Sequence, residues 1–230
     1  MIRHKTSMRE KVDEIFDSVL GEGLYVGEKQ IFVRFFGCNL TCKYCDTKLT
    51  HFKEYDPKEL FDEIKVYKDN YHSISFTGGE PLLHNEFLKE VLKLTKASGF
   101  RNYLETNGTL PGELENVIEH IDIVAMDAKL PSSTGLGGFW EAHERFLRIA
   151  SHKEVFIKAI ICSSTKEEDL RLTIEMIRNV NKAVMLVLQP NSLEKDELLS
   201  EKMESFRNIC FQEKISTCII PQIHKIIGLL

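Results

Sequence analysis

Short apolar runs alternate along the chain with segments in which apolar residues recur every three or four positions. The runs are rich in β-branched and aromatic residues, as in "QIFVRFF" (30–36) and "EVFIKAII" (154–161), and they predict strands. The segments between them predict helices. Because parallel neighbouring strands need crossover connections, this alternation predicts a mostly parallel sheet flanked by helices.

The predicted elements cover most of the chain. Strands are predicted at 30–36, 73–76, 102–105, 121–126, 154–161, 183–188 and 215–220. Helices are predicted at 56–69, 85–99, 111–120, 139–150, 166–180 and 200–212. Asp56 is expected to cap the first helix, with Pro57 at its first position, and Gly99 to end the second. No linker or low-complexity tract divides the chain, so residues 1–230 are expected to form one α/β domain, an open sheet or a partial barrel.

Polar motifs follow the predicted strands at the point where each strand ends. A cysteine-rich loop follows the first strand, and four other strand ends carry "TGGEP" (77–81), "ETNGT" (105–109), "DAKLPSSTG" (127–135) and "LQPNS" (188–192). The carboxyl ends of parallel strands meet at one edge of a sheet or barrel, which is where active sites of such folds lie. These motifs therefore predict a single site.

Composition excludes several classes of protein. The 230 residues are 43% hydrophobic and 28% charged, ordinary values for a globular domain. A net charge of -5 gives no whole-protein attraction to nucleic acid or to anionic lipid. No apolar run is long enough to span a membrane, and the first residues are too polar for a signal peptide. We expect a cytoplasmic protein without a membrane or nucleic-acid partner.

Three cysteines, Cys38, Cys42 and Cys45, lie within eight residues at C-x₃-C-x₂-C spacing. A structural zinc site needs four protein ligands, and His51 or Asp46 would have to supply the fourth. Three thiols can instead hold three irons of a [4Fe–4S] cluster and leave the fourth iron open to another ligand. Both metals stay open on spacing alone. The remaining cysteines lie in apolar patterns and are predicted to be core residues: Cys162, Cys210 and Cys218.

The cysteine motif after a strand, with Tyr44 before its last cysteine, resembles the radical S-adenosylmethionine superfamily, and "GGEP" (78–81) resembles its glycine-rich loop. The resemblance implies that Cys38, Cys42 and Cys45 hold a [4Fe–4S] cluster whose open iron is chelated by S-adenosylmethionine. It also implies a 5′-deoxyadenosyl radical. Gly78 and Gly79 would let the backbone approach the methionine moiety, and the catalytic Glu80 would receive its ammonium group.

Residues 14–47, "EIFDSVLGEGLYVGEKQIFVRFFGCNLTCKYCDT", resemble the 7-carboxy-7-deazaguanine synthases of that superfamily. The later motifs "ETNGT", "DAKLPSSTG", "LQPN" and "PQIHKIIG" (221–228) follow in that family's order. The resemblance implies a compact partial (β/α) barrel of the radical S-adenosylmethionine type. It also implies that 6-carboxy-5,6,7,8-tetrahydropterin loses a hydrogen at C6 to the radical, contracts its ring and loses ammonia, in queuosine or deazapurine biosynthesis. S-adenosylmethionine is regenerated in that family, and Mg²⁺ supports the reaction.

The resemblance assigns site residues position by position. Thr47 would bring its hydroxyl to Mg²⁺, and Arg34 would pair with the substrate carboxylate. The other substrate-binding positions are Val19, Leu20, Gly21, Glu22, Gly23 and Thr77. The other cofactor-binding positions, next to the adenosyl group, are Asp127, Ala128, Lys129, Gln189, Pro190, Asn191 and Ser192.

Two positions depart from the family's pattern, and several residues have two interpretations. Leu20 replaces a glutamine, and Thr217 and Cys218 stand where an arginine precedes P-Q-x-H-K. Glu105 and Asn107 either bind a ligand or cap their turn. His224 and Lys225 either have a role in the site or belong to a closing segment packed on the barrel. The resemblance also implies an electron donor such as flavodoxin or ferredoxin, and a homodimer.

Two other functions stay open at this point. A glycyl-radical-enzyme activase shares the cysteine motif and acts on a protein partner, although the "GEG", "CDT" and "PQIHK" motifs disfavour it. A non-catalytic iron–sulfur or zinc protein needs no cofactor pocket, so it leaves "GGEP", "ETNGT" and "DAKLP" without a purpose.

Overall fold

The structure is a computed structural model that describes residues 8–67, 70–194, 197–223, 225 and 228. Within these residues one sheet has the strand order β3-β1-β2-β4-β5-β6-β7-β8-β9. The strands are β1 (Glu10–Val19), β2 (Lys29–Phe35), β3 (Lys53–Tyr55), β4 (Ser73–Gly78), β5 (Asn102–Thr106), β6 (Ile123–Asp127), β7 (Glu154–Ile161), β8 (Met185–Pro190) and β9 (Thr217–Ile219). The helices are α1 (Pro57–Ile64), α2 (Asn85–Ala97), α3 (Pro111–Val117), α4 (Pro131–Thr134), α5 (Trp140–Ala150), α6 (Glu167–Val180) and α7 (Glu197–Gln212), with 3₁₀ turns at Pro81–His84 and Ile118–His120.

Seven neighbouring strands, β2 and β4 to β9, are parallel, and β1 and β3 add an antiparallel edge beside β2. In the described residues β3 and β9 have no strand on their outer sides, so the sheet does not close. The predicted mostly parallel, partial barrel is confirmed.

In the same residues no helix is long and apolar enough to cross a membrane.

No element is predicted for residues 10–19, where the structure has the long strand β1. Its apolar residues Val12, Ile15, Phe16 and Val19 are spaced as on one face of a helix, not alternately as on a strand. A β-bulge between Val12 and Glu14 lets Val12 and Ile15 pack on the same core, whereas Phe16 packs on the opposite face of the sheet. The three-residue strand β3 is too short to leave any pattern.

The outward face of the sheet packs on the amphipathic helices. Ile31, Val33 and Phe35 of β2 are fully buried in this main core. The predicted caps at Asp56 and Gly99 are also confirmed, although α1 ends at Ile64, short of the predicted residue 69. The Asp56 side chain accepts hydrogen bonds from the backbone N–H groups of Lys58 and Glu59 in a capping box. Gly99 follows α2 with a φ of 84°.

The inward face of the barrel has two layers. An inner apolar layer is formed by Leu20, Phe32, Tyr103, Ile123, Ala125, Phe156 and Val187. Two residues further along the strands, on the same face, an inner polar layer follows: Arg34, Thr77, Glu105, Asp127, Lys158 and Gln189. The polar layer lies at the carboxyl ends of the strands. This is the edge at which the sequence predicts the site.

Candidate active site

The cysteine loop begins where β2 ends and is fastened to two other strand-end loops. Asn39 donates a hydrogen bond to Thr109 Oγ1 (2.9 Å) and accepts one from Asn107 Nδ2 (2.8 Å). The backbone N–H of Lys43 donates to the carbonyl of Thr134 (3.0 Å). Cys38 and Cys45 are exposed and Cys42 is half-buried. All three thiols therefore belong to one loop anchored beside the polar layer.

Gly78 and Gly79 allow the "TGGEP" loop to pack directly on the start of the cysteine loop. Gly79 N–H donates to the Phe35 carbonyl (3.1 Å) and Glu80 N–H to the Gly37 carbonyl (2.8 Å). A Cβ atom at Gly78 would lie 2.3 Å from the Phe35 carbonyl oxygen, and one at Gly79 would lie 1.8 Å from that of Gly37. Close approach of two protein loops thus requires both glycines. The predicted approach to the methionine moiety stays a prediction.

Glu80 is fully buried beneath this loop. Its carboxylate accepts hydrogen bonds from Thr106 Oγ1 (2.9 Å) and from the N–H groups of Leu82 (3.1 Å) and Asn107 (2.8 Å). Burial raises the pKa of Glu80 to about 7 despite these donors. Glu80 therefore joins the glycine loop to the end of β5, and its predicted bond to the cofactor ammonium stays a prediction.

Asp127 and Lys129 form a partly buried ion pair beside the cysteine loop. Lys129 Nζ lies 2.7 Å from Asp127 Oδ2 and 3.5 Å from the hydroxyl of Tyr44. Tyr44 stands between Cys42 and Cys45 in the sequence. Burial alone would lower the pKa of Lys129, but the charge of Asp127 holds it well above its usual value. The other oxygen of Asp127 is buried and has no hydrogen-bond partner in the described residues. This end of β6 therefore offers both a cation and an unused acceptor.

Glu22 of the "GEG" loop reaches into the inner polar layer. Lys158 Nζ (2.5 Å) and Gln189 Nε2 (3.1 Å) donate to its Oε2, and Gln222 Nε2 (2.6 Å) donates to its Oε1. Burial would raise the pKa of Glu22, but Lys158 and these donors lower it to about 2. Glu22 is therefore ionised in the folded protein.

Lys158 belongs to the candidate site but is not among the residues predicted from the sequence. It is 8% exposed, in the middle of β7 and within the inner polar layer. A signal was available, because "EVFIKAII" places one charge in an otherwise apolar strand. Arg34 in "FVRFF" is likewise a single charge in an apolar strand, and it is among the predicted site residues.

Arg34 pairs with a neighbour across the sheet. Its Nε donates to Glu14 Oε1 of β1 (2.7 Å), and its guanidinium lies 5.6 Å from the centre of the Phe16 ring. The Arg34 side chain is 25% exposed, and no second polar partner is found for it in the part of the chain described. Donors of the guanidinium therefore remain available, and its pairing with a substrate carboxylate stays a prediction.

Thr77 and Glu105 meet across β4 and β5. The Thr77 hydroxyl donates to Glu105 Oε2 (2.7 Å), so Glu105 belongs to the inner polar layer. Asn107 caps its turn, because its Oδ1 accepts from the backbone N–H of Thr109 (3.0 Å). Asn107 also holds Asn39 through its Nδ2. The turn-capping interpretation therefore applies to Asn107.

The end of β8 and the segment after β9 close the mouth of the barrel. Ile223 N–H donates to the Gly21 carbonyl (2.9 Å), and Ser192 is hydrogen-bonded to Gln222. Lys225 Nζ contacts Asp46 and lies 2.9 Å from Ser192 Oγ. Residues 222, 223 and 225 thus form a closing segment packed on the barrel, whereas His224 lies outside the described residues.

Not all of the other predicted site residues lie at this mouth: Val19 pairs with Lys29 at the amino end of β2, on the opposite side of the barrel. Asn191 is buried and its Nδ2 lies 3.2 Å from Glu194 and 3.5 Å from Cys162 Sγ. The remaining positions are Val19, which is 40% exposed, buried Ala128, half-buried Pro190, buried Gly23 against Phe156, and half-buried Thr47. No side-chain hydrogen bond of Thr47 is found among the described residues.

Leu20, which departs from the family's pattern, serves the inner apolar layer. Its side chain is 3% exposed and packs in that layer. Its backbone N–H donates to Glu28 and its carbonyl accepts from Gly27, both at 2.8 Å. The side chain therefore shapes the floor of the barrel. A polar contact from this position would have to come from the backbone.

Comparison with known proteins identifies the family. Residues 32–162 match the Radical SAM superfamily. The 7-carboxy-7-deazaguanine synthase of Geobacter sulfurreducens is 34% identical over 245 residues, which cover 96% of this chain and 98% of that protein. The chain belongs to the 7-carboxy-7-deazaguanine synthase family. The family's protein of that name from Archaeoglobus fulgidus is 33% identical, over 96% of this chain and 99% of that protein.

A solved structure supports the fold of this family member. The crystal structure of QueE from Escherichia coli superposes with a TM-score of 0.67 at 20% identity, covering 92% of this chain and 94% of that one. At this identity the likeness concerns the fold. Together with the superfamily match, it confirms the predicted radical S-adenosylmethionine type of barrel.

Membership of the family makes the chain a radical S-adenosylmethionine enzyme, which implies a [4Fe–4S] cluster and S-adenosylmethionine. The donor set fits these groups. Three thiols share one anchored loop, as a cluster with one open iron requires. The unused oxygen of Asp127 lies beside them.

Proposed function

We propose that this enzyme converts 6-carboxy-5,6,7,8-tetrahydropterin to 7-carboxy-7-deazaguanine with loss of ammonia. The observation that carries the proposal is the similarity over 96% of the chain to a protein of that activity. The residues of the inner polar layer support it, because it brings together a partly exposed cation, Arg34, and a partly exposed carboxylate, Glu22. A carboxylated pterin carries groups complementary to both.

In this proposal the cysteine loop and the two loops bonded to it form the cofactor half of the site. Cys38, Cys42 and Cys45 hold the cluster, which with S-adenosylmethionine supplies a 5′-deoxyadenosyl radical. The Gly78–Glu80 loop, rigidly packed on the cysteine loop, borders the methionine moiety. Asp127, Ala128 and Lys129 border the adenosyl group, where Asp127 has an acceptor available.

The other half of the site binds the pterin. The Arg34 guanidinium binds the substrate carboxylate, to which its paired donors are matched. Glu22 receives N–H donors of the ring, and Thr77 and Glu105 line the wall between them. The closing segment at Gln222 and Lys225 lies across the mouth, where it is bonded to Glu22 and Asp46.

Three further components belong to the proposal. Thr47 contributes a hydroxyl to Mg²⁺, which substrate oxygens complete. A flavodoxin or ferredoxin supplies the electron to the exposed face of the cysteine loop, where Cys38 and Cys45 are accessible. The enzyme is a homodimer, as the family resemblance implies.

The test is one anaerobic assay. Reconstituted protein is incubated with reductant, S-adenosylmethionine, Mg²⁺ and 6-carboxytetrahydropterin, and products are identified by mass, with Cys42→Ala as the inactive control. The deazapurine is the expected product. Cleavage of S-adenosylmethionine without a deazapurine would contradict the assigned substrate and would be expected of an activase of a protein partner. Absence of both reactions in iron-replete protein would contradict the enzyme assignment.

A further inference from the structure

The side-chain oxygen of Gln189 is an acceptor without a donor. Gln189 is fully buried at the end of β8, and its Nε2 donates to Glu22 Oε2 (3.1 Å). This bond fixes the orientation of the amide, because the opposite orientation would turn its oxygen toward a carboxylate. Oε1 is then buried without a hydrogen-bond partner among the described residues. Buried polar atoms in native proteins are nearly always paired, so this oxygen requires an explanation.

Glu22 supplies a second acceptor next to it. A carboxylate accepts about four hydrogen bonds, and three are taken here, by Lys158 and Gln189 at Oε2 and by Gln222 at Oε1. The side chain of Glu22 remains 19% exposed. An ionised carboxylate can accept but cannot donate. Neighbouring acceptors on Glu22 and Gln189 thus suit a ligand that presents neighbouring donors.

Lys158 holds the Glu22 carboxylate in place by an ion pair. Its ammonium lies 2.5 Å from Glu22 Oε2, and its side chain is 10% exposed. The charged groups that face it are Glu22, Glu105 and Asp127. An ammonium group has no lone pair, so Lys158 can only donate hydrogen bonds. It therefore does not compete with the acceptors on Glu22 and Gln189 for the donors of a ligand.

We infer that Gln189 Oε1 and the Glu22 carboxylate bind adjacent N–H donors of the substrate, and that Lys158 is a positioning residue that holds Glu22 for this contact. The inference rests on the proposed function. The aminopyrimidinone ring of a pterin carries an amino group beside a ring N–H, which are adjacent donors on one edge. A ring with oxygen in place of the amino group would present an acceptor to an acceptor. Gln189 thus selects for the amino group, rather than bordering the adenosyl moiety as the family resemblance implies.

A pair of probes separates these possibilities. 6-Carboxypterin has the amino group, and 6-carboxylumazine has oxygen in its place. Binding of each to reconstituted holoenzyme with S-adenosylmethionine is measured by anaerobic calorimetry. The parent protein should prefer the pterin by on the order of 100-fold, because the lumazine leaves buried acceptors unpaired. Gln189→Leu should reduce this preference about tenfold, which is the effect of one net hydrogen bond.

Gln30→Leu is the matched control. Gln30 is also fully buried, and its Oε1 likewise has no partner in the described residues, but it lies at the opposite end of β2, bonded to Ser73 (2.9 Å). Loss of a buried amide by itself should therefore leave the pterin preference unchanged. Equal losses in Gln30→Leu and Gln189→Leu would overturn the inference.

The role of Lys158 is tested with a charge-balanced pair. Lys158→Met leaves Glu22 buried without its cation, which endangers folding, so it is compared with Glu22→Gln/Lys158→Met, which removes both charges. The double variant should keep its iron and its affinity for S-adenosylmethionine, yet lose the preference for the pterin. Lys158→Arg should keep part of the preference. A double variant with the parent's preference would overturn the role of the pair.

Two outcomes separate the inference from the proposed function. Suppose the parent binds 6-carboxypterin, and Gln189→Leu changes affinity for S-adenosylmethionine but not the ratio of the two probes. Gln189 then belongs to the adenosyl side and the inference alone fails. If the parent binds neither probe and forms no deazapurine, the proposed function fails, and the inference fails with it.

Discussion

Asn107 Nδ2 donates a 2.8 Å hydrogen bond to Asn39, the residue that follows the first cysteine of the motif. Asn39 in turn donates to Thr109 Oγ1 (2.9 Å). The loop that carries the thiols is thereby tied to the end of β5. Since a cluster must be held by thiols in a fixed arrangement, this tie should matter to iron retention.

Asn39→Ala should therefore lose iron faster than the parent when holoenzyme is exposed to a chelator. Loss of the two bonds should also lower the free energy of unfolding by about 1–2 kcal/mol. Asn181→Ala is the control, because it removes a comparable turn-capping bond to Ala183 (3.0 Å) far from the loop. Equal rates of iron loss in Asn39→Ala and the parent would show that the tie does not hold the cluster loop.

The cysteines should divide into two groups on substitution. Anaerobically reconstituted parent should bind about four irons and absorb near 400 nm, with bleaching on reduction. Cys42→Ala should abolish iron binding, as should alanine at Cys38 or Cys45. Cys162→Ala, Cys210→Ala and Cys218→Ala should keep full iron content, since Cys162 and Cys210 are buried in the protein. Iron loss in any of these three, or stoichiometric zinc uptake by the parent, would contradict the assignment.

Much of the fold follows from the sequence because the parallel strands are buried on both faces. Continuous apolar runs such as "EVFIKAII" predict β7 at its observed bounds of Glu154–Ile161. The pattern does not predict the antiparallel strand β1, because a bulge and apolar residues on both of its faces give a helical spacing. Local pattern cannot reveal a bulge whose position depends on pairing with β2.

The site was predictable to the level of motifs but not of partners. Strand-end motifs correctly predict which loops meet, because parallel topology brings them to one edge. The Glu22–Lys158 pair joins residues 136 positions apart, which no local pattern encodes. The same holds for Arg34 and Glu14, since their pairing depends on the unpredicted β1.

Arg34→Lys should weaken pterin binding while leaving cluster content and S-adenosylmethionine cleavage intact. Lysine keeps the charge but loses the paired donors that match a carboxylate. The expected loss is about 2 kcal/mol, or roughly 30-fold in affinity. Glu14→Gln is the control: it removes the negative charge 2.7 Å from Arg34, keeps an acceptor there, and should not weaken binding. Parent-like affinity in Arg34→Lys would mean that Arg34 is structural.

The free energy of unfolding should depend on pH through the protonation of Glu80. Burial raises the pKa of Glu80 from 4.5 to about 7, so between these values the folded protein binds more protons than the unfolded chain. Its free energy of unfolding should therefore fall as pH rises through this window, by a quantity of the order of 3 kcal/mol. Glu80→Gln lacks the titrating group. The parent should lose stability relative to Glu80→Gln between about pH 5 and pH 8 in urea titrations without S-adenosylmethionine.

His143 makes the paired comparison necessary. Burial lowers the pKa of His143 from 6.5 to about 4, so its contribution to stability is present above 6.5 and is lost as pH falls toward 4. The free energy of unfolding thus rises with pH because of His143 and falls with pH because of Glu80, over most of the same pH range. The parent alone can therefore show a flat profile. A constant difference between the parent and Glu80→Gln across the window would mean that the pKa of Glu80 is not raised.

Thr47→Val should lose most of the response of turnover to added Mg²⁺. The Thr47 hydroxyl follows the last cysteine by two residues, is half-buried, and has no hydrogen-bond partner among the described residues, so its oxygen is available to an ion. One neutral hydroxyl cannot hold Mg²⁺ alone, and the ion should therefore bind only when substrate oxygens complete its shell. Valine keeps the shape and removes the oxygen. Thr50→Val, which removes a hydroxyl bonded to His51 (2.8 Å) in the same segment, should keep the parent's response. If Thr47→Val and Thr50→Val both respond to Mg²⁺ like the parent, the ion is not bound through Thr47, while the cluster assignment would be unaffected.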